Sequence, residues 1–410
     1  MKFPKFPYLV QKEIVSHLTY NNLFFFSLCS QKTHNFIVRS QKTQFERIEQ
    51  IVYTADRDQM KIVAETCSKT TMIMEIYNDE MNPIRTRDKM TYFDCFGHPS
   101  NEDDEESNDE DGESDEEDEE SNEEDEETNE DDKESNEEDE ESDEEDEESN
   151  DEDEKSDEED VEPTALADPD EDVLIVKAIH SQILRLFGTN INYGMTQGDN
   201  CSYLPILANF RTLRLIGDGA DAVSLEQFLE VNPNLEYFCC DIEIDDVRGL
   251  SEETKRKIYQ IDTVDIARNE FLCAEVFKHF NGRRAFLQME GTTNQEGTTQ
   301  LEIVEFLNKW KSGEGFQNLE LIRARGISND VNIDEVAAQA GCKQANSVVT
   351  FPFIEKYTPE PSVNNGTELE SRYYIVRESD CHVATMEIEQ GRLSLGVWNM
   401  TETEFLEKFA

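Results

Sequence analysis

Thr212-Leu213-Arg214-Leu215-Ile216-Gly217-Asp218-Gly219-Ala220-Asp221-Ala222 is a short apolar strand that breaks into a glycine turn and runs into a helical pattern. Two architectures use such a stretch. A dinucleotide-binding sheet places Gly-x-Gly-x-x-Ala after a strand so that backbone and helix N-terminus meet a pyrophosphate. Asp241, after the next strand, stands about where a ribose-binding acid belongs. A repeat fold uses the same glycines for a sharp turn. Charge separates the two, because Asp218 and Asp221 would set two carboxylates beside the pyrophosphate and cancel the positive helix end. The stretch therefore reads as one strand-turn-helix unit.

Outward from it the alternation continues. Helices are expected over 225–230, 274–280 and 301–311, and strands over 235–240, 264–266, 285–289 and 319–322. The strands centred on Leu215, Tyr237, Asp265, Leu287 and Leu321 lie 22, 28, 22 and 34 residues apart, the range of an irregular leucine-rich-repeat solenoid. Asn234-Leu235-Glu236 and Asn318-Leu319-Glu320 open two of them alike. A doubly wound sheet has similar spacings, so spacing alone leaves both open. Upstream, the apolar runs at 48–52, 60–63 and 72–76 read as strands at a sheet edge. Residues 173–187 form an amphipathic helix closed by Gly188.

The N-terminal segment 3–40, FPKFPYLVQKEIVSHLTYNNLFFFSLCSQKTHNFIVRS, carries three short helical patterns. Pro7 suits a first helical turn, and Val10, Ile14 and Leu18 recur at spacing four on one face. Asn21 or Asn22 can cap a second helix holding Leu23, Phe24, Phe25, Phe26 and Leu28, and Ser30 a third with Phe36 and Ile37. So small a unit cannot bury all these side chains by itself. The rest of the chain covers them, or a second protein does.

Phe6-Pro7, then Ile14, Leu18 and Leu23, then Phe26-Ser27-Leu28-Cys29-Ser30 and Phe36-Ile37 resemble the F-box, with Phe6 where that motif more often has leucine. Phe306-Leu307-Asn308-Lys309-Trp310-Lys311-Ser312-Gly313 followed by Asn318-Leu319-Glu320, then Tyr374-Ile375-Val376-Arg377 and Gly396-Val397-Trp398-Asn399-Met400-Thr401-Glu402, resemble the type B F-box-associated domain of the large nematode F-box family. The resemblance implies a substrate-recognition adaptor of an SCF-type cullin-RING ubiquitin ligase, without catalytic residues or cofactor of its own. Phe6, Pro7, Leu9, Val10, Ile14, Val15, Leu18, Leu23 and Phe26 would bind a Skp-family linker protein and, through it, a cullin, while an unknown target protein sits on the C-terminal domain. The expected organisation is α/β. A three-helix F-box covers 1–42, the associated domain begins over 43–99, a disordered acidic insertion fills 100–165, and a leucine-rich-repeat-like strand/helix domain covers 166–410.

The chain's 410 residues carry a net charge of −58, but residues 100–162 hold 44 acidic residues and two lysines and supply −42 of it. This tract repeats every seven residues from a hydroxyl residue: Ser100, Ser107, Ser114, Ser121, Thr128, Ser135, Ser142, Ser149 and Ser156. It lacks the apolar seam of a coiled coil, and its like charges oppose an isolated helix. A disordered, solvated segment is expected. Each hydroxyl has an acid three residues on, the pattern favoured by acid-directed kinases, so all nine are phosphorylation candidates. The alternative function is a phospho-regulated scaffold working through this tract.

Other chemistry finds little support. No basic patch with interleaved aromatics serves nucleic acid, and no window approaches a membrane-spanning length of apolar residues. Nine cysteines and six histidines show no metal-ligand spacing, and the cysteines read as free thiols of a reducing, cytoplasmic or nuclear compartment. Ser379-Asp380-Cys381-His382 gathers nucleophile and base types but reads as a turn into a strand over 383–388.

Overall fold

The computed structural model describes residues 3–56, 59–77, 171–198, 201, 204–217, 219–289, 298–352 and 368–409. The acidic tract and its nine candidate phosphorylation sites lie outside them, as does Asp218.

The chain opens with α1 (Tyr8–Ser16), α2 (Tyr20–Leu28), α3 (Gln31–Ser40) and the single turn α4 (Lys42–Phe45). A meander follows, β1 (Ile48–Asp56), β2 (Gln59–Thr66) and β3 (Lys69–Tyr77). Beyond the insertion come α5 (Glu171–Phe187), β4 (Asn192–Gln197), β5 (Thr212–Ile216), β6 (Ala220–Asp221), α6 (Ala222–Val231), β7 (Tyr237–Asp241) and β8 (Ile244–Asp245). Next are α7 (Glu252–Gln260), β9 (Thr263–Ala267), α8 (Glu270–His279), β10 (Arg284–Gln288), α9 (Gln300–Ser312), β11 (Leu321–Arg325) and α10 (Ile333–Ala340). The chain closes with β12 (Lys343–Pro352), β13 (Glu368–Val376), β14 (His382–Glu389), β15 (Arg392–Thr401) and α11 (Glu402–Phe409).

Thirteen of the described strands form one mixed sheet in the order β12-β13-β14-β15-β11-β10-β9-β7-β5-β4-β1-β2-β3. From β1 through β4, β5, β7, β9, β10 and β11 every neighbour pair is parallel. Each strand lies beside the one before it in this series, so the order never reverses. A doubly wound dinucleotide fold requires a reversal, at whose switch point the ligand binds. Right-handed crossovers that always step the same way put their helices on one face of the sheet.

The core agrees. Leu213, Leu215, Phe238, Cys240, Val264, Ile266, Ala285, Leu287, Ile322 and Ala324 share one apolar cluster with Leu225, Phe228, Ile258, Leu272, Val276, Leu307 and Trp310 of the helices. A second cluster, Val349, Tyr374, Val383, Trp398 and Phe405, gathers α11 onto the antiparallel end. Cross-strand partners share a face and faces alternate along a strand, so the pairing of Trp398 with Val383, an odd three residues along from the Leu395–Met386 pair of the main core, puts α11 on the opposite face.

The glycine turn departs from a phosphate loop. Gly217 and Gly219 take positive φ of 129° and 149°, which favours glycine, and the chain then pairs Ala220–Asp221 with β8. Asp221 caps α6, accepting from the Ser224 amide at 2.8 Å. Burial works against its ionisation, but hydrogen bonds from Ser224 and nearby amides outweigh that and hold the carboxyl below its usual value. This helix N-terminus already has its anion.

His180 of α5 is buried against β1. Its Nδ1 lies 2.9 Å from the Tyr53 hydroxyl and its Nε2 2.8 Å from the Ala208 carbonyl, and its ring stacks on Phe210. Burial lowers its pKa, with the Ala208 contact opposing, and burial also lowers that of His34, reinforced by Arg185. The folded chain keeps both rings neutral while the unfolded chain protonates them near pH 6.5, so stability falls as pH drops below about 6.5. Urea midpoints at pH 7.5 and 5.5 check this. His34→Gln with His180→Gln is expected to shrink the difference between the two midpoints, in a window above the range where carboxylates titrate. An undiminished acid loss in the double variant counts against the assignment.

Among the described residues no helix is long and apolar enough to cross a membrane. Eight cysteines there are free.

Candidate functional site

The N-terminal helices form a cap on one end of the sheet. Thr19, rather than Asn21 or Asn22, caps α2, because the helix starts at Tyr20 and places both asparagines inside its first turn. Ser30 caps α3 as expected, accepting from the Thr33 amide at 3.1 Å. Pro7 directly precedes α1 with φ −55° and no side-chain cap.

The cap is fastened by α5 and by its own rings. Gln182 donates to the Ser27 hydroxyl at 2.9 Å and lies 3.3 Å from His34 Nδ1, and Arg185 donates to Gln31 at 2.8 Å. Phe187 meets Phe45 and Tyr20 edge-on at 4.9 and 6.0 Å. Phe3 packs edge-on against Phe26 and Phe36, at 4.7 and 5.8 Å.

The nine expected interface residues separate into three groups. Val15 and Leu23 have no accessible surface and belong to the main core, so a partner protein cannot touch them. The reason is helical phase: Val15 lies on the side of α1 away from Val10 and Ile14, and Leu23 lies on the inner face of α2 with Tyr20, Phe24 and Ser27. Phe6, Leu18 and Phe26 are half-buried, and Pro7 is exposed. Leu9, Val10 and Ile14 are 76%, 42% and 38% exposed, with Val10 and Ile14 one turn apart on α1. Tyr8 and Leu28, which are not among the nine, are exposed as well. The run Tyr8-Leu9-Val10 was the available signal, since three successive apolar residues on a short helix cannot all face inward.

Part of the surplus seen in the sequence is therefore covered by α5 and the sheet, and the rest is left on α1 and at Leu28 of α2. Exposed leucine, valine and isoleucine side chains are each worth about 1.5–3 kcal/mol when fully buried in an interface.

At the opposite end of the chain, Ser379–Cys381 form the turn between β13 and β14. Asp380 and His382 do meet, at 3.2 Å, but the acid's main partner is Arg377, which donates to both carboxylate oxygens at 3.0 and 2.6 Å. Hydrogen bonding from Arg377 holds the Asp380 carboxyl below its usual value. Arg377 also donates to the Gln317 carbonyl at 2.9 Å and lies over the Trp310 ring at 5.2 Å. The constellation is a structural clamp. Among the described residues no cluster of His, Cys, Asp and Glu has the arrangement of a metal site.

No family model, curated protein or solved structure matches the chain.

Proposed function

We propose that the protein is a non-catalytic substrate receptor of a cullin-RING ubiquitin ligase. Its cap acts as an F-box that binds a Skp-family linker, and its sheet domain, read as a leucine-rich-repeat-like F-box-associated domain, holds a target protein within reach of a ubiquitin-charged partner. The observation that carries the reading is the outward stripe of Leu9, Val10 and Ile14 on a helix whose Val15 is anchored in the core. That combination supports a rigid helical docking face with apolar anchors.

Leu9→Asp with Ile14→Asp tests it. Both side chains are exposed, so the fold should keep its melting temperature while capture of a purified Skp-family linker falls roughly a hundredfold. A variant lacking residues 100–162 should capture the linker as well as the full chain. Equal capture by the Asp variant rules the reading out, and loss of capture on deleting the tract favours the scaffold alternative instead.

A further inference from the structure

A cavity of about 210 Å³ opens between α8 and α9, and its lining lies wholly within the described residues. Three rings make its floor. Phe277 of α8 and Phe306 of α9 stand 5.1 Å apart and tilted, and Phe316, from the turn after α9, meets Phe306 edge-on at 4.7 Å. Phe316 holds that place with a φ of 58°, a left-handed backbone that a bulky side chain rarely adopts. Strain of that kind collects where ligands are gripped.

Charge around the cavity is matched. Lys278 pairs with Glu302 at 3.5 Å and Lys309 with Glu305 at 2.9 Å, while the His279 ring stacks on Tyr259 at 5.5 Å. A charged group entering from outside would have to break one of these pairs, whereas a neutral one need not. The volume also falls below the roughly 300–1,000 Å³ of clefts that hold cofactors and drug-sized ligands. It suits a single side chain of a protein partner, the kind of anchor that carries most of an interface's binding energy. A floor of rings favours an aromatic anchor, because edge-to-face and offset contacts add to what area burial supplies. At the mouth, Glu302 is committed to Thr299, whose amide donates to it at 3.0 Å in the capping box of α9. Glu305 is mostly exposed, and a carboxylate with one lysine partner has lone pairs to spare. An indole N–H, which donates and never accepts, matches that acceptor, and a phenyl ring brings no donor at all.

We propose that this cavity is a docking site for a tryptophan side chain presented by a partner protein, its indole resting on Phe277, Phe306 and Phe316 and its N–H donated to Glu305. The aliphatic stems of Lys278 and Lys309 wall the cavity, and their ammonium groups favour an aromatic ring beside them. The apolar stripe of α1 takes no part in this site, which stands or falls apart from the adaptor reading.

The probe is N-acetyl-5-fluorotryptophanamide, a neutral stand-in for the anchor, followed by its fluorine NMR line width as the full chain is added. Saturable broadening with a roughly millimolar dissociation constant is the expected result. Lys309→Trp, whose own indole fills the cavity, should weaken binding about tenfold or more at an unchanged melting temperature. Glu305→Ala should weaken it about threefold yet leave the affinity of N-acetylphenylalaninamide, measured by competition, where it was, a signature that loss of structure does not give. N-acetylleucinamide should compete about fivefold more weakly than the phenylalanine amide. Absence of saturable broadening, equal binding by a normally melting Lys309→Trp chain, or equal competition by the leucine amide overturns the proposal. The amide competition needs no variant, so it decides the matter even where Lys309→Trp disturbs the fold.

Discussion

Trp310→Ala should lower the free energy of unfolding by about 3–5 kcal/mol, the usual cost of removing a large, fully buried aromatic side chain. Trp310 is 0% exposed and faces the main core from α9. The Arg377 guanidinium lies over its ring and reaches from there to the Gln317 carbonyl and the Asp380 carboxylate. Removing the indole leaves a cavity and strips one face from a buried cation, so two losses add. The indole Nε1 has no hydrogen-bond partner, which makes packing rather than polarity the source of its contribution. Trp310→Phe should therefore recover most of the loss. Denaturant titration of the two variants decides the matter: a cost under about 1 kcal/mol for Trp310→Ala contradicts the packing account.

Phe24→Ala should cost about 3 kcal/mol or more and should also weaken linker capture, although no partner can reach that side chain. Phe24 is 1% exposed, stacks edge-on with Phe25 at 5.4 Å, and lies with Leu23, Val15 and Ile37 in the core that fastens the cap to α5 and the sheet. Its loss loosens the platform on which Leu9, Val10 and Ile14 stand. Melting and capture measured in parallel distinguish the two kinds of residue, since Phe24→Ala should change both and Leu9→Asp with Ile14→Asp only capture. Unchanged melting in Phe24→Ala would contradict the burial of the cap.

Local periodicity made much of the fold legible. The strand expected around Leu215 is observed as β5, and the helices expected at 274–280 and 301–311 appear as α8 and α9, each extended at its N-terminal end. What escaped was set by distant partners. β4, with Asn192, Gly194 and Gln197, is not among the expected strands, yet it pairs with β1 on one side and β5 on the other. Its strand state comes from those neighbours and not from propensity. α7 escaped because Glu252, Glu253, Arg256 and Lys257 swamp its buried side, Thr254, Lys255, Ile258 and Tyr259, which itself includes a charge, although Ser251 capping it was a usable sign. Strand order was illegible for the same reason that repeat and doubly wound spacings coincide: it depends on crossover direction, which no local pattern encodes.

The candidate site shows the same divide. Spacing located an apolar α1, but whether a given side chain faces the core or a partner depends on where α5 and β3 lie, more than 100 residues away in the case of α5. The cavity between α8 and α9 was invisible in sequence, because Phe277, Phe306 and Phe316 come together only through packing.

β3 is the last of the described strands at its end of the sheet, and the acidic heptads of residues 100–162 fall within the stretch of chain between Tyr77, where β3 ends, and Glu171, where α5 begins. Among the described residues no strand pairs with the outer side of β3, so residues added between Tyr77 and Glu171 shift no described register. Gaining or losing one heptad in a segment of this length alters the loop-closure free energy by under about 0.1 kcal/mol. The connection between β3 and α5 is thus a growth point: copies of the seven-residue unit can accumulate or vanish within it with stability left almost untouched, and tract length is free to drift while the described sheet keeps its architecture.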